Sequence, residues 1–167
     1  MAAGNTYVAI AEQTLGSAAA TVTFSSISGA YTDLVFILNV KGSISGVDDD
    51  VTARFNSDTG SNYSWTRIYG DGTTAGSQRG TAQTVLRVGN QSGTGSSAFS
   101  PMILNIMNYA NATTYKTMLA RPNNPARVVD AYVNLWRSTS AISTVSFACG
   151  GNFIAGSTFS LYGIAAA

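Results

Sequence analysis

Histidine is missing from all 167 residues. Without imidazole, Ser-His-Asp and Cys-His nucleophiles, imidazole metal sites and the usual switch near neutral pH are excluded. The single cysteine, Cys149, allows neither an intrachain disulfide nor a thiolate zinc cluster. It ends the apolar run Val145-Ser146-Phe147-Ala148-Cys149 and reads as a small buried hydrophobe rather than a reactive thiol. Charged residues make up only 10% of the chain and the net charge is +1. A typical soluble domain carries about 25% charged residues. So neutral a surface exerts no pull on phosphate, and nucleic acid is not an expected partner. It also offers little repulsion against self-association. No apolar run reaches the length of roughly 18 residues needed to span a bilayer, so no membrane partner is expected. Met1-Ala2-Ala3-Gly4-Asn5 has no basic start and no apolar core behind it, unlike a secretion signal. The chain is therefore expected to fold in a cytoplasm. No pair of carboxylates is placed for acid–base work, so no catalytic residue and no cofactor is assigned.

What is present is apolar and aromatic. Hydrophobic residues reach 45% and aromatics 10%, a composition that folds. Short β-branched and aromatic segments alternate with Gly, Asn, Asp and Ser. They cover residues 7–15, 21–27, 33–40, 51–55, 63–69, 84–88, 102–107, 115–119, 128–136, 142–149 and 158–164. The run Asp33-Leu34-Val35-Phe36-Ile37-Leu38-Asn39-Val40 is apolar on both faces and predicts a central strand buried on both sides. In 63–69, Tyr63, Trp65, Arg67 and Tyr69 share one face. Residues 128–136 read as a strand, although Val129, Tyr132, Val133 and Trp136 also form a helical stripe. Long polar loops are expected over 43–50, 70–83 and 89–100. Gly70-Asp71-Gly72 and Gly76-Ser77 read as tight turns with positive φ. Pro101, Pro122 and Pro125 are expected at strand borders. The result is a single all-β domain, a β-sandwich of about ten strands in a jelly-roll arrangement, with a short N-terminal arm over 1–6.

Three groups of residues could carry a site. Asp48, Asp49 and Asp50 form the acidic cluster a hard cation would want, but lack the alternating spacing of a calcium loop; a solvated loop is the plainer reading. Asn62, Trp65, Tyr69 and Asp71 combine aromatic faces with planar polar groups, as a sugar platform does. The plainer reading makes the rings core. Arg67, Arg79 and Arg87 are too few for a nucleic-acid surface and read as interface or loop-anchoring arginines. Asp58 with Gly60 predicts an Asx-type turn between two strands.

Several stretches resemble structural proteins of tailed bacteriophages, notably those of aquatic hosts. They are Tyr31-Thr32-Asp33-Leu34-Val35, Arg54-Phe55-Asn56-Ser57-Asp58-Thr59-Gly60-Ser61-Asn62-Tyr63-Ser64, Arg67-Ile68-Tyr69-Gly70-Asp71-Gly72 and Ala155-Gly156-Ser157-Thr158-Phe159-Ser160-Leu161-Tyr162-Gly163-Ile164. The opening stretch from Ala11 to Phe24 is similar too. These are turn and strand motifs, not mechanistic ones. The resemblance implies a virion location and partners among virion proteins. The strand pattern starts by Tyr7 and ends at Ile164 with no shaft between, which favours a capsid decoration (cement) protein docked on the major capsid protein as a dimer or trimer. The alternative is a tail-fibre module recognising a host glycan.

Overall fold

A computed structural model describes residues 6–165. Twelve strands and no helix occur among them. In chain order these are β1 (Tyr7–Thr14), β2 (Ala19–Phe24), β3 (Asp33–Val40), β4 (Asp49–Phe55), β5 (Tyr63–Gly70) and β6 (Ala75–Gln83). Then come β7 (Leu86–Gln91), β8 (Ser100–Met107), β9 (Lys116–Asn124), β10 (Val128–Trp136), β11 (Val145–Phe153) and β12 (Thr158–Ile164). The expected N-terminal arm lies, but for Thr6, outside the described residues.

The strands alternate because their sequences do. In β9, residues Lys116, Met118, Ala120, Pro122 and Asn124 are buried and the residues between them are exposed. Such period-two burial gives a sheet with one face on the core. Two antiparallel sheets result. The larger runs β1-β12-β3-β8-β9-β10-β5-β6 and the smaller β2-β11-β4-β7. The pairings are nested: β1 with β12, β2 with β11, β3 with β8 and β4 with β7. This is one long hairpin rolled into two sheets of four, which is a jelly roll. The other four strands extend the larger sheet beyond β8. One core of aromatic and aliphatic side chains, including Phe36, Phe55, Phe147, Phe153 and Phe159, fills the space between the sheets.

Several expectations need correcting. The segment 33–40 is central in its sheet, but its outward face is only partly buried, with Val35 covered and Ile37 and Asn39 exposed. Leu34, Phe36, Leu38 and Val40 point into the core, while Ile37 is 44% exposed. Residues 128–136 form a strand, and their helical stripe is a coincidence of spacing. Most of the expected loop at 70–83 is strand β6. Gly76 therefore lies inside a strand, and the positive φ of this turn belongs to Gly72. Pro122 is not at a border but inside β9, where the β9–β10 ladder is interrupted between Val129↔Asn123 and Tyr132↔Ala120. The interruption removes the need for the missing N–H. Its ring packs against Gly89 of β7, where an added Cβ would sit 2.1 Å from Pro122 Cγ. That contact fixes how the edge of the smaller sheet lies across the larger one.

Candidate functional site

The added strands give the larger sheet two chemically distinct faces. The inner face of β5 and β10 carries Trp65, Arg67, Tyr69, Asp130, Tyr132 and Asn134. Arg67 is the hub. Its Nε donates to Asp130 Oδ1 at 2.7 Å, Nη1 to Gln78 Oε1 at 3.3 Å and Nη2 to Asn90 Oδ1 at 3.1 Å. Its guanidinium carbon also lies 4.5 Å from the centre of the Tyr69 ring and 5.6 Å from that of Tyr132. Asn90 passes the network on, donating to Asp50 at 3.2 Å, and Asp50 pairs with Arg87. Arg87 lies over the Trp65 ring at 5.6 Å. Asn134 locks the edge of the smaller sheet by bonding both the N–H and the C=O of Arg87, each at 2.9 Å.

Asp130 is the buried end of this chain. Its Oδ2 has no hydrogen-bond partner. Burial raises its pKa, and the Arg67 guanidinium opposes that shift. Burial likewise pushes the Tyr132 phenol up. A buried ion pair of this kind fixes geometry more than it adds stability.

The four residues that could have formed a sugar platform are not brought together. Asn62 donates to Asp58 at 2.9 Å at one end of β5. Asp71 caps the turn at the other end, accepting from the N–H groups of Thr73 and Thr74 at 2.9 and 2.6 Å, and these bonds lower its pKa. The eight residues of β5 lie between them, which puts them about 30 Å apart along the strand. Trp65 and Tyr69 lie across Gly80 and Gly76 of β6, where added Cβ atoms would meet the rings at 2.6 and 2.8 Å. Their faces are thus largely occupied by β6 and by arginines. The expected turn at Asp58 and Gly60 is present, with Gly60 N–H donating to Asp58 Oδ1 at 2.8 Å. Asp58 also accepts from Trp136 Nε1 at 2.7 Å, and that bond leads in lowering its pKa.

The acidic run does not form a cation site either. Asp49 points inward and takes hydrogen bonds from Gln91 and the Gly150 N–H. Asp48 pairs with Arg127 at 3.2 Å and Asp50 with Arg87. The solvated-loop reading also falls short, since Asp49 and Asp50 begin β4 and Asp49 is buried. No group of three or more His, Cys, Asp or Glu suited to a metal occurs among the described residues. Cys149 is half-buried rather than fully buried; burial, then the Asp49 charge, pushes its thiol up to about 11. Arg67 and Arg87 serve internal pairs within strands and anchor no loop.

The outer face is apolar. Ile68, Val129, Val133 and Leu119 are 63%, 64%, 47% and 41% exposed. Cross-strand pairing brings them side by side: Ile68 faces Ala131, and Val133 faces Leu119. Two charged side chains on the outward positions of β5, β6, β8, β9 and β10, Arg79 and Arg121, are both basic, and no acidic residue stands there. Single exposed hydrophobics are ordinary, but a contiguous patch marks an interaction surface. The sequence did not reveal that Val129 and Val133 face outward, because periodicity cannot say which face of a sheet lacks a covering layer.

No protein-family model matches the sequence, and no curated protein is similar to it. Among solved structures, galectin LEC-6 of Caenorhabditis elegans shares 8% identity, with a TM-score of 0.38 over 90% of this chain and 94% of that one. So low a score says nothing about function.

Proposed function

We propose that this chain is a structural protein of a tailed-phage virion, a capsid decoration protein docked on the shell by the outer face of its larger sheet. One observation carries the reading: the exposed patch of Ile68, Leu119, Val129 and Val133 around the half-buried Ala131, with a basic rim of Arg79 and Arg121. Apolar cores with polar rims are the anatomy of protein interfaces. The rim selects a partner surface that is apolar with acidic surroundings, here assigned to the major capsid protein. The nearly neutral charge and the resemblance of the turn and strand motifs to phage structural proteins support the same reading. The glycan alternative has less support, since its four residues do not converge.

The test is localisation on intact particles by electron microscopy, with binding of the purified protein to shells stripped of it. Many copies on the head are expected, and Val129→Glu should abolish rebinding while leaving the circular dichroism spectrum unchanged. Finding the protein on tails alone, or unchanged rebinding of Val129→Glu, would sink the proposal.

A further inference from the structure

A sheet edge is a row of unused hydrogen-bonding groups, and proteins usually blunt it with bulges, lysines, proline or a covering segment. Three of the four edges here are blunted. β1 is bulged between Ala9 and Ala11. The pairing of β2 with β11 is broken between Ala148 and Phe153. β7 is kinked at Gly89 and lies across β9. The fourth edge, β6, is different. Its irregularity falls near its far end, opposite Tyr63 and Trp65, with Ala82 at a φ of 52°. The stretch from Ala75 to Gly80 is regular, holds no proline or lysine, and has one charged residue, Arg79.

The geometry gives the direction of each backbone group. The β5–β6 turn closes with Asp71 N–H donating to Thr74 C=O. Bonded and non-bonded pairs alternate along an antiparallel ladder. Counting back along the register makes Tyr69/Gly76, Arg67/Gln78 and Trp65/Gly80 the bonded pairs. The N–H and C=O groups of Ala75, Ser77 and Arg79 therefore point away from β5, and none joins a turn or loop hydrogen bond among the described residues.

We propose that β6 pairs antiparallel with β6 of a second copy, about a two-fold axis through Ser77. In that register Ser77 faces Ser77 of the second copy and Ala75 faces Arg79, in both directions. Three bonded pairs supply roughly six hydrogen bonds. Three features favour a second copy as the occupant. The segment is self-complementary under a two-fold, as an isologous interface must be. No like charges stand opposite each other, because each Arg79 meets an alanine. Apart from Gln78 and Arg79 the side chains are small, and a net charge of +1 opposes association weakly. A two-fold normal to the sheet keeps both outer faces on the same side. Each dimer then offers two apolar patches to one partner surface, which raises avidity without a new contact. That consequence rests on the virion reading; the pairing itself does not.

Two measurements on the purified chain test the pairing. In a Cys149→Ala background, Ser77→Cys places two cysteines at a bonded cross-strand position, about 5.5 Å apart at Cα, within disulfide reach. Gln78→Cys places them diagonally, about 8 Å apart and beyond it. Under a mild added oxidant, Ser77→Cys should give covalent dimer and Gln78→Cys almost none. Ser77→Pro removes one outward N–H that β5 does not use, so it should halve the mass seen by light scattering while the fold persists. Equal cross-linking at 77 and 78, or a folded Ser77→Pro chain that still dimerises, overturns the proposal. If Ser77→Pro does not fold, the cysteine pair decides alone. Loss of shell binding with dimerisation intact would count against the virion reading instead.

Discussion

Under β3 and β12 the interior is made of rings. Phe36 meets Phe24 and Phe147 edge-on at 5.3 and 5.1 Å, and Phe159 meets Phe147 and Phe153 at 5.9 and 5.1 Å. Under β10 and β5 the same sheet is lined by Arg67, Asp130, Asn90, Asp50 and Arg87, joined by hydrogen bonds. The difference follows from what covers each half. The jelly-roll half has a complete second sheet above it, so water is excluded and apolar side chains fill the space. At one end of the extension Tyr63 and Trp136 still pack on Phe55 of β4, but from Trp65 to Tyr69 its inner face reaches past the core and meets mainly β7 and solvent. Polar side chains that bond one another suit a boundary of that kind, since each unpaired group there would carry a desolvation penalty. The first half is expected to determine stability, and the second to determine where β5 and β6 sit.

Phe147→Ala should produce the largest loss. The side chain is fully buried and touches two other rings, so truncation leaves a cavity and costs about 3–5 kcal/mol. Urea unfolding measures it. A loss below that of the polar-network variants would reverse the contrast between the halves.

Arg67→Met comes next. It strands the buried Asp130 carboxylate, whose Oδ2 is already unpartnered, at a cost of about 3 kcal/mol at neutral pH. The pH dependence has a definite sign. A carboxyl whose pKa is raised by folding is favoured when protonated, so the deficit should shrink as pH falls toward the ordinary value of 3.8. Adding Asp130→Leu should restore most of the loss, because an apolar pair replaces an ion pair without leaving a charge behind. A deficit independent of pH, or no recovery in the double variant, would show that Arg67 acts by packing alone.

These two halves were not equally legible in the sequence. The alternating runs at 51–55, 63–69 and 158–164 marked their strands because half-buried strands impose period two. β6 left almost no trace: Ala-Gly-Ser-Gln-Arg-Gly-Thr-Ala-Gln has one β-branched residue. An edge strand can be held by its backbone and by rings from its neighbour, and here Gly76 and Gly80 make room for Tyr69 and Trp65. The network was equally hard to see, since Arg67, Asn90 and Asp130 are far apart in the chain and no spacing links them. The grouping of Trp65 and Tyr69 with Arg67 on one face was readable from parity alone. Joining Asn62 and Asp71 to them was not supported, because parity says nothing about distance along a strand.

The smallest effect expected tests whether an ion pair matters here merely by being present. Asp48 and Arg127 are bridged at 3.2 Å, but their side chains are 34% and 50% exposed. Water screens the attraction and both side chains lose freedom in making it, so such pairs contribute about 0–1 kcal/mol. Asp48→Ala should shift the urea midpoint barely at all, and less still in high salt. Arg67 and Asp130 are separated by the same kind of distance, 2.7 Å, yet the carboxylate is fully covered. If Asp48→Ala were as damaging as Arg67→Met, burial would not be what distinguishes the two pairs. The boundary between the halves would then have to be explained by local turn geometry around β4 rather than by exclusion of water.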